Sequence, residues 1–474
     1  MAIKTLHLTN SWHERSGGIA TFYRQLLHAA NRNERHMALV VPGPHDEVRE
    51  VGAHCRIYQV AAPHSPFNGE YRTIYPSDYL LPGSKLQRIL SRERPDLVEI
   101  CDKYSLPYLA ALLRLRLFSD LDFRPVVTGL SCERMDENFA TYLSRSGWGR
   151  AFSRWYMRNL YFQFFDHHIA ISENTADELR AASHGHVVER GVWIRKVGVD
   201  AELFSPARRS SYLRHTFVER CRASSKAVLL LYVGRVVPEK NLELLLATME
   251  ALTQQPYDFR LLIAGDGIAR KQMHRDAERR VPGRVHFIGH IGDREELSRI
   301  YASCDLFLHP NPHEPFGIAP LEAMASGLPL IAPNCGGVTD YVSEQNGYPS
   351  APTADAFAHA VLSALRDETG RLKKVLAARA TAESLSWPSV TEAYLSLYET
   401  MHAVGTGQKN LGEAEPAFCS TQATAAKAKQ THIALTMAKA GFSAFIAVCS
   451  RLNRIRPEVK APLCQTELEA SPPK

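Results

Sequence analysis

Residues 305–337 read DLFLHPNPHEPFGIAPLEAMASGLPLIAPNCGG, and this stretch decides the fold. A short apolar run typical of a strand comes first, Pro315 and Gly317 mark a turn, a helix follows, and a second apolar run ends the stretch. Strand, helix and strand in this order form the repeating unit of a parallel sheet covered by helices. The turn also leaves the backbone N–H groups of Gly317 and Ile318 at the beginning of a helix, where phosphate oxygens are favoured.

The same alternation occurs twice along the 474 residues. Strands are predicted in KTLHLTN, HMALVVPG, DLVEICD, RPVVTGLS and HHIAISE, and again in AVLLLYVGR, RLLIAGDG, RVHFIGHI, DLFLHPN and LPLIAPNCGG. Helices are predicted between them, for example in GGIATFYRQLLHAANR, LELLLATMEALTQQ, ARKQMHRDAERR and REELSRIYASC. The pattern therefore predicts an α/β protein with two parallel sheets, each with helices on both faces, and a ligand cleft beyond the strand ends.

A break over residues 200–226, with Pro206 and a cluster of Arg and Ser, predicts the region between the domains. We place the first domain at 1–200, the second at 201–386, a further helix at 387–403, and a linker with an amphipathic tail at 404–474. Residues 430–456 of this tail are apolar with basic flanks but too interrupted to span a bilayer. They could lie in a membrane interface or pack on the protein.

The composition is that of a soluble enzyme, with 45% apolar and 22% charged residues. The net charge of +6 suits anionic ligands or an anionic membrane surface, and we expect no nucleic-acid partner. Nine scattered cysteines without a CxxC pair argue against a zinc site and fit a reducing compartment. Because the start has too short an apolar run for a secretory signal, we expect a cytoplasmic protein, either free or at the inner face of the membrane.

Two glutamates flank the turn of the quoted stretch. Glu314 ends the strand and Glu322 lies about 10–12 Å further along the helix, at 1.5 Å per residue. This separation matches a sugar–diphosphate–ribose unit, so that one carboxylate can accept hydrogen bonds from sugar hydroxyls and the other from the ribose diol. For an isolated pair, a helix cap and an exposed glutamate would be the better interpretation.

A second candidate site is Gly234, Arg235 and Lys240, at the end of strand AVLLLYV. The glycine allows close backbone approach, and the two cations can stabilise a departing diphosphate in place of a divalent metal. The alternative is a surface loop with solvated cations.

A third candidate is Gly17-Gly18, a loop between the first strand and helix whose amides can approach a phosphate or sugar. It matches neither the Walker loop nor GxGxxG, and a plain tight turn fits equally well.

Together, SGGIATF, LYVGRVVPEKNLELLL, IAGDG, VHFIGHI and HEPFGIAPLEAMASGLPLIAPNCGG resemble the retaining GT-B glycosyltransferases of family 4, group 1 type, which include bacterial mannosyl- and glucosyltransferases. The likeness runs from Thr5 to about Met401 and is strongest from Val228 to Gly347. It implies a GT-B fold, with two Rossmann-like domains facing across a cleft and the helix after Trp387 crossing back onto the first.

The resemblance also implies residue roles. Glu314 would contact the donor sugar, Glu322 the ribose, and Arg235 with Lys240 the diphosphate. The backbone near Ile291 would read the nucleobase, and Gly18 would approach the phosphate from the first domain. The residues expected to bind the donor are Gly17, Gly18, Gly234, Arg235, Lys240, Ile291, Glu314, Phe316, Gly317, Ile318 and Glu322, of which Glu314, Arg235 and Lys240 are expected to be catalytic.

One position departs from the family pattern. After strand RPVVTGL, related enzymes often carry a histidine that faces the sugar, but here Cys132 stands near that place. We expect Cys132, Glu133 and Asp136 to lie on the acceptor side.

Three further motifs contain residue types that could bind a metal ion or a lipid. Asp120-Leu121-Asp122 resembles a DxD metal motif of another fold, but a solvated turn fits better. His167-His168 have no further metal-ligating residues near them in the sequence, so a structural role fits better than a metal site. The arginines of 145–158 interleave with Trp148, Phe152 and Trp155, and also with Tyr156 and Tyr161. This stretch could meet anionic lipid headgroups, or its aromatic rings could enter the core, which we favour.

These observations predict an enzyme that moves a hexosyl group, mannose or glucose, from a UDP- or GDP-sugar to the hydroxyl of a glycan or lipid-linked acceptor. No metal and no other cofactor is expected. The alternatives are a nucleotide-sugar epimerase or phosphorylase of the same fold, or a donor-binding protein without turnover.

Overall fold

The computed structural model describes residues 2–13, 17–65, 69, 71–142, 148–183 and 191–409. Two sheets flanked by helices form two α/β domains, and this confirms the predicted fold class. Every strand named in the sequence analysis is present, because each combines an apolar, β-branched run with a turn signal at its end.

The first domain contains an eight-stranded sheet with the strand order β3-β4-β2-β1-β5-β6-β7-β8. Its strands are β1 Thr5–Thr9, β2 Met37–Gly43, β3 Glu47–Val51, β4 Cys55–Ala61, β5 Leu97–Cys101, β6 Val126–Ser131, β7 His167–Ala170 and β8 Val192–Ile194. Its helices are α1 Gly18–Arg32, α2 Ser77–Leu80, α3 Lys85–Glu93, α4 Pro107–Arg114, α5 Met135–Tyr142, α6 Trp148–Tyr156, α7 Phe162–Phe164 and α8 Glu173–Ser183. A π-helical segment, Met157–Tyr161, joins α6 to α7.

One edge strand of the first sheet departs from the predicted parallel arrangement. Strand β3 runs antiparallel to β4, with Val48 opposite Tyr58, and forms the sheet edge. Its sequence, EVREV, is almost fully exposed and charged. Charged side chains on a short edge strand discourage pairing with another chain, which explains why this strand lacks the apolar signature.

The second domain contains a six-stranded parallel sheet with the order β11-β10-β9-β12-β13-β14. Its strands are β9 Val228–Val233, β10 Phe259–Ala264, β11 Val285–Gly289, β12 Leu306–Leu308, β13 Leu330–Pro333 and β14 Tyr348–Ser350. Its helices are α9 Ser211–Arg220, α10 Glu243–Thr253, α11 Arg270–Arg280, α12 Arg294–Ser303, α13 Ile318–Ala325, α14 Ala354–Arg366 and α15 Glu368–Ser384. The order reverses between β9 and β12, so the loops that follow these two strands diverge from one crevice.

The stretch 200–226, read as an interdomain break, is more structured than expected. It contains α9, whose first turn is capped by the Ser210 hydroxyl. Arg214 of α9 donates to both carboxylate oxygens of Asp305, at 2.9 and 2.8 Å, directly before β12. This stretch therefore packs on the second domain.

Helix α16, Trp387–Gly405, returns to the first domain as predicted. The ring of Tyr394 packs edge-on against Phe22 of α1 at 4.9 Å, and the Tyr398 hydroxyl donates to buried Glu99 at 2.7 Å. The two crossing segments meet at Val199, whose N–H donates to the Leu385 carbonyl at 2.9 Å and whose carbonyl accepts from the Trp387 N–H at 3.0 Å. One core cluster consequently runs through both domains.

Within the described residues, no helix is long and apolar enough to cross a membrane. The predicted linker and tail, including residues 430–456, fall almost entirely outside the described residues.

Candidate functional site

The loops after β9 and β12 meet where the strand order of the second sheet reverses. Lys240 follows β9, and Glu314 follows β12. The Lys240 ammonium donates to both Glu314 oxygens, at 2.7 and 3.0 Å. Two candidate residues separated by 74 positions thus form one ion pair at the carboxyl edge of the sheet.

The Glu314 carboxylate is held in place and charged. The Asn311 amide donates to it at 2.9 Å, and the His309 ring nitrogen Nε2 lies 3.8 Å away. Burial alone raises the pKa of Glu314, but the Lys240 charge, His309 and the Asn311 hydrogen bond outweigh it and bring the pKa down to about 2. Burial lowers the pKa of His309 to about 4, so its ring is neutral near pH 7. The site therefore carries a fixed carboxylate beside a fixed ammonium.

Helix α13 begins directly after Glu314. Gly317 lies before its first turn with φ +90°, a conformation that L side chains rarely adopt. The Tyr341 hydroxyl donates to the carbonyls of Phe316 and Gly317, at 3.0 and 2.6 Å. The backbone N–H groups at this helix end are thereby oriented, as the phosphate hypothesis requires. The Phe316 side chain is buried against Tyr341, which leaves only its backbone for donor contact.

The other predicted cation, Arg235, is half exposed. Its guanidinium lies 3.5 Å from Glu239, and its carbonyl accepts a hydrogen bond from the Tyr232 hydroxyl at 3.0 Å. Gly234, before it, approaches Gly265 so closely that a Cβ on Gly265 would lie 1.9 Å from the Gly234 carbonyl oxygen. These contacts fix the backbone of the loop. The Arg235 guanidinium, by contrast, is held only by the 3.5 Å contact with Glu239.

Glu322 is buried in α13, in contrast to the exposed glutamate of the alternative interpretation. Its carboxylate accepts from the Tyr301 hydroxyl at 3.1 Å and lies 3.5 Å from the Arg294 guanidinium. Burial raises the pKa of Glu322 to about 7, against the lowering effects of these two neighbours. Glu314 and Glu322 thus have pKa values that lie far apart.

Ile291, expected to lie near the nucleobase, is partly buried close to α12 and packs against the main core.

The first domain contributes Gly17 and Gly18 at the beginning of α1. A Cβ on Gly18 would lie 3.2 Å from the Cδ1 atom of Ile318, the first residue of α13. The glycine loop of one domain therefore faces the helix end of the other at this point of the cleft.

Further contacts bridge this cleft beside the donor motif. The Ser172 hydroxyl donates to the Pro315 carbonyl at 2.5 Å, and His313 is 3.1 Å from the Glu137 carboxylate. The hydrogen bond from the His313 ring to the Glu137 carboxylate raises the pKa of His313. His313 and Pro315 belong to the donor motif, but their partners in the first domain, Ser172 and Glu137, carried no local motif in the sequence.

The predicted acceptor residues lie on the first-domain side, after β6. The Cys132 thiol accepts a hydrogen bond from Cys101 at 3.5 Å. Glu133 accepts from the Asn138 amide at 2.9 Å, and burial raises its pKa. Asp136 is bound by two hydrogen bonds from Arg134, at 3.1 and 2.9 Å.

A buried ion pair that the sequence analysis missed supports this acceptor segment. Lys103, two residues after the end of β5, donates to Glu178 at 2.5 Å and also to the Glu133 carbonyl. The other Glu178 oxygen accepts from the N–H groups of Met135 and Asp136, at 2.8 and 3.1 Å. The local signal was a charged residue close to the end of an apolar strand.

The remaining motifs of the sequence analysis, namely the DxD-like turn, the histidine pair and the aromatic stretch, contribute no residue to the donor contacts described above. Asp122 pairs with Arg94 at an exposed turn, at 2.7 Å, and His167 and His168 are buried in β7. In the described ranges, no group of three or more His, Cys, Asp or Glu side chains could hold a metal ion. The aromatic stretch divides: Tyr156 and Tyr161 enter the core as favoured, whereas the expectation is wrong for Trp148 and Trp155, which are exposed on α6.

The chain matches two family models in succession. Residues 17–191 match the glycosyl transferase 4-like domain, and residues 216–382 match glycosyl transferases group 1. The GDP-mannose-dependent alpha-(1-6)-phosphatidylinositol dimannoside mannosyltransferase of Mycobacterium tuberculosis is 27% identical over 85% of this chain and 98% of its own. A GDP-mannose-dependent alpha-mannosyltransferase of Corynebacterium glutamicum is 28% identical over 69% and 71%, respectively.

Solved structures share the fold. The sucrose-phosphate synthase of Thermosynechococcus elongatus superposes with a TM-score of 0.65 at 22% identity, over 84% of this chain and 99% of that one. Anabaena HepE in complex with UDP and glucose superposes with a TM-score of 0.62 at 17% identity, over 84% and 99%. With the cleft geometry above, these matches show that the chain belongs to the group 1 glycosyltransferases and is a nucleotide-sugar glycosyltransferase of the GT-B fold.

Proposed function

We propose that the enzyme transfers a mannosyl group from GDP-mannose to a hydroxyl of a glycan or lipid-linked acceptor, with retention at the anomeric carbon. Support for the donor comes from the two mannosyltransferase relatives, both named for GDP-mannose. UDP-glucose is the second candidate, since HepE was crystallised with UDP and glucose. Support for a lipid-linked acceptor comes from the Mycobacterium relative, which is named for a phosphatidylinositol dimannoside and matches this chain along nearly its whole length.

The observation that carries the proposal is the Lys240–Glu314 pair beside the first turn of α13. An ammonium has three N–H donors, and Glu314 engages two of them. The third is free to meet a phosphate oxygen, and the loosely held Arg235 guanidinium adds a second cation. Together with the N–H groups of Gly317 and Ile318, these groups stabilise the charge that develops on a departing nucleoside diphosphate.

Retention is proposed to proceed on one face of the sugar. The bond from the anomeric carbon to the phosphate oxygen breaks while a bond to the acceptor oxygen forms, and the acceptor proton moves to the departing phosphate oxygen. A nucleophilic role for Glu314 is disfavoured because Lys240 and Asn311 already engage its oxygens. We assign it to orienting the sugar hydroxyls and fixing Lys240.

We also propose that turnover requires no divalent metal. Arg235 and Lys240 supply the positive charge that a metal would bring to the diphosphate. Activity in EDTA should equal activity in Mg²⁺, and a loss in EDTA that Mg²⁺ restores would contradict this assignment.

The function is tested by comparing donors. Thermal unfolding is measured with GDP-mannose, GDP, UDP-glucose and UDP, because a bound ligand raises the unfolding temperature by mass action. GDP-mannose should give the largest shift, and a larger shift with UDP-glucose would overturn the donor assignment. Product analysis of enzyme and GDP-mannose alone then separates the classes: slow release of mannose and GDP fits a transferase, whereas an altered nucleotide sugar would show an epimerase.

A further inference from the structure

Helix α6 presents an aromatic stripe to solvent. Trp148 is 56% exposed and Trp155 is 43% exposed. Phe152 lies between them, with ring centroids 5.8 Å from Trp148 and 6.0 Å from Trp155 in stacked orientation. Two exposed tryptophans joined through a third ring form a continuous apolar surface, and single exposed apolar residues do not.

A basic stripe runs beside it. Arg150, Arg154 and Arg158 follow at four-residue spacing, and all three are exposed. Residues 148–165 contain no Asp or Glu, and among the described residues none of the three arginines lies within ion-pair distance of a carboxylate. Among the described residues, no ion pair therefore neutralises the charge of this stripe.

The exposed rings are not displaced core residues. The opposite face of the helix buries Gly149, Ser153 and Tyr156, and the following π-helical segment buries Leu160. The Tyr156 hydroxyl donates to the Lys103 carbonyl at 3.0 Å. The helix is anchored without Trp148 or Trp155.

The position of α6 relates it to the reaction cleft. Phe139 of α5 packs against Phe152 with centroids 5.9 Å apart. Glu137, on the same helix as Phe139, reaches across to His313 of the donor motif at 3.1 Å. Helix α6 consequently lies one helix away from the acceptor side of the cleft.

We propose that the α6 face, formed by Trp148, Arg150, Arg154, Trp155 and Arg158, docks on the surface of an anionic lipid bilayer. Tryptophan prefers the boundary between headgroups and acyl chains, and arginines on the same helix pair with anionic headgroups. Neither an acidic side chain nor a local ion pair on this segment opposes that contact. The inference holds for any donor or acceptor, because it depends only on this surface.

The test is co-sedimentation of the full chain with vesicles of phosphatidylcholine alone and of phosphatidylcholine mixed with phosphatidylglycerol. Binding should require phosphatidylglycerol and weaken with added salt. The variant R150Q/R154Q/R158Q should bind roughly a hundredfold more weakly, from about fivefold per arginine near an anionic surface. A matched control, K271Q/R275Q/R279Q on exposed α11 of the second domain, removes the same charge and should bind like the parent chain.

Tryptophan emission gives a second readout. The spectrum should shift to the blue on the mixed vesicles, and W148F/W155F should lose most of this shift while Trp12, Trp193 and Trp387 still emit. Equal vesicle binding by the α6 and α11 variants would overturn the proposal, as would binding to phosphatidylcholine alone. A change of oligomeric state in R150Q/R154Q/R158Q, measured by sedimentation velocity without lipid, would assign the face to a protein interface instead. A far-UV circular dichroism spectrum and an unfolding temperature equal to those of the parent chain confirm that each variant is folded.

Discussion

Gly18 of the first domain and Ile318 of the second face each other across the cleft, so closely that a Cβ on Gly18 would lie 3.2 Å from the Ile318 Cδ1 atom. The contact joins the beginnings of α1 and α13, two helix ends with free N–H groups. A side chain at position 18 is therefore limited by the opposite domain rather than by its own helix.

Gly18→Val should impair donor use without unfolding the chain. The added branches meet Ile318 and hold the two helix ends apart, whereas Gly17, with open space around its Cα, tolerates a side chain. We expect kcat/KM for the donor to fall about 10–100-fold, comparable to a misplacement of about 1 Å in a catalytic site. Steady-state kinetics check this, with Gly69→Ala, where an added Cβ meets no atom within 4 Å, as the control; a parent-like value for Gly18→Val would contradict the role of this contact in donor use.

Lys240→Ala should remove most turnover. Loss of one preorganised cation at a leaving group lowers kcat by about 10²–10³. Without the Lys240 charge, the pKa of Glu314 should rise from its value of about 2. The stability that the ionised carboxylate contributes to the fold should then be lost at a higher pH when acid is added. Single-turnover kinetics and acid titration of unfolding check both effects. Lys271→Ala, an exposed lysine of α11, should change neither, and an equally active Lys240→Ala would refute the assigned role.

Glu322 should make stability depend on pH. Its pKa is raised by burial from 4.5 to about 7, so the folded state holds a proton that the unfolded state has lost. The stabilisation is complete below pH 4.5 and declines as pH rises through about 7, by about 3 kcal/mol in total. In Glu322→Gln this decline should disappear.

The same residue predicts a pH-dependent donor KM. A charged Glu322 accepts ribose hydroxyls more strongly than a neutral one, so the KM should fall as pH rises through about 7. Glu296→Gln, an exposed glutamate of neighbouring α12, serves as the control for both measurements. A persistent pH dependence in Glu322→Gln would assign the effect to another group.

Lys103→Met should destabilise the fold and weaken acceptor binding. It leaves Glu178 buried without its cation, at a loss of about 3–5 kcal/mol. Lys103→Met/Glu178→Leu should recover much of this stability, because no buried charge is left. It should not recover the acceptor KM, since the N–H groups of Met135 and Asp136 lose their acceptor. Chemical denaturation and acceptor titration separate the two effects; joint recovery would show a purely structural pair.

Much of the fold could be predicted because its signals are local. The apolar runs of β9 and β12 and the turn at Pro315 and Gly317 each specify their own element, and their alternation specifies parallel sheets. Strand β3 escaped prediction because an exposed edge strand needs no apolar face. Helix α9 was not predicted because the orientation of its face depends on the contact between Arg214 and Asp305, a residue outside the helix.

The sequence by itself determined the two sheets of the fold and predicted which residues bind a nucleotide sugar: Glu314, Glu322, Lys240, Arg235 and the glycine loop. Only the tertiary structure decided that Lys240 pairs with Glu314, that Glu322 is buried and titrates near neutral pH, and that Gly18 faces Ile318. The reason is physical: backbone conformation responds to neighbours a few residues away, whereas burial, charge pairing and pKa depend on contacts that strand order creates between distant segments.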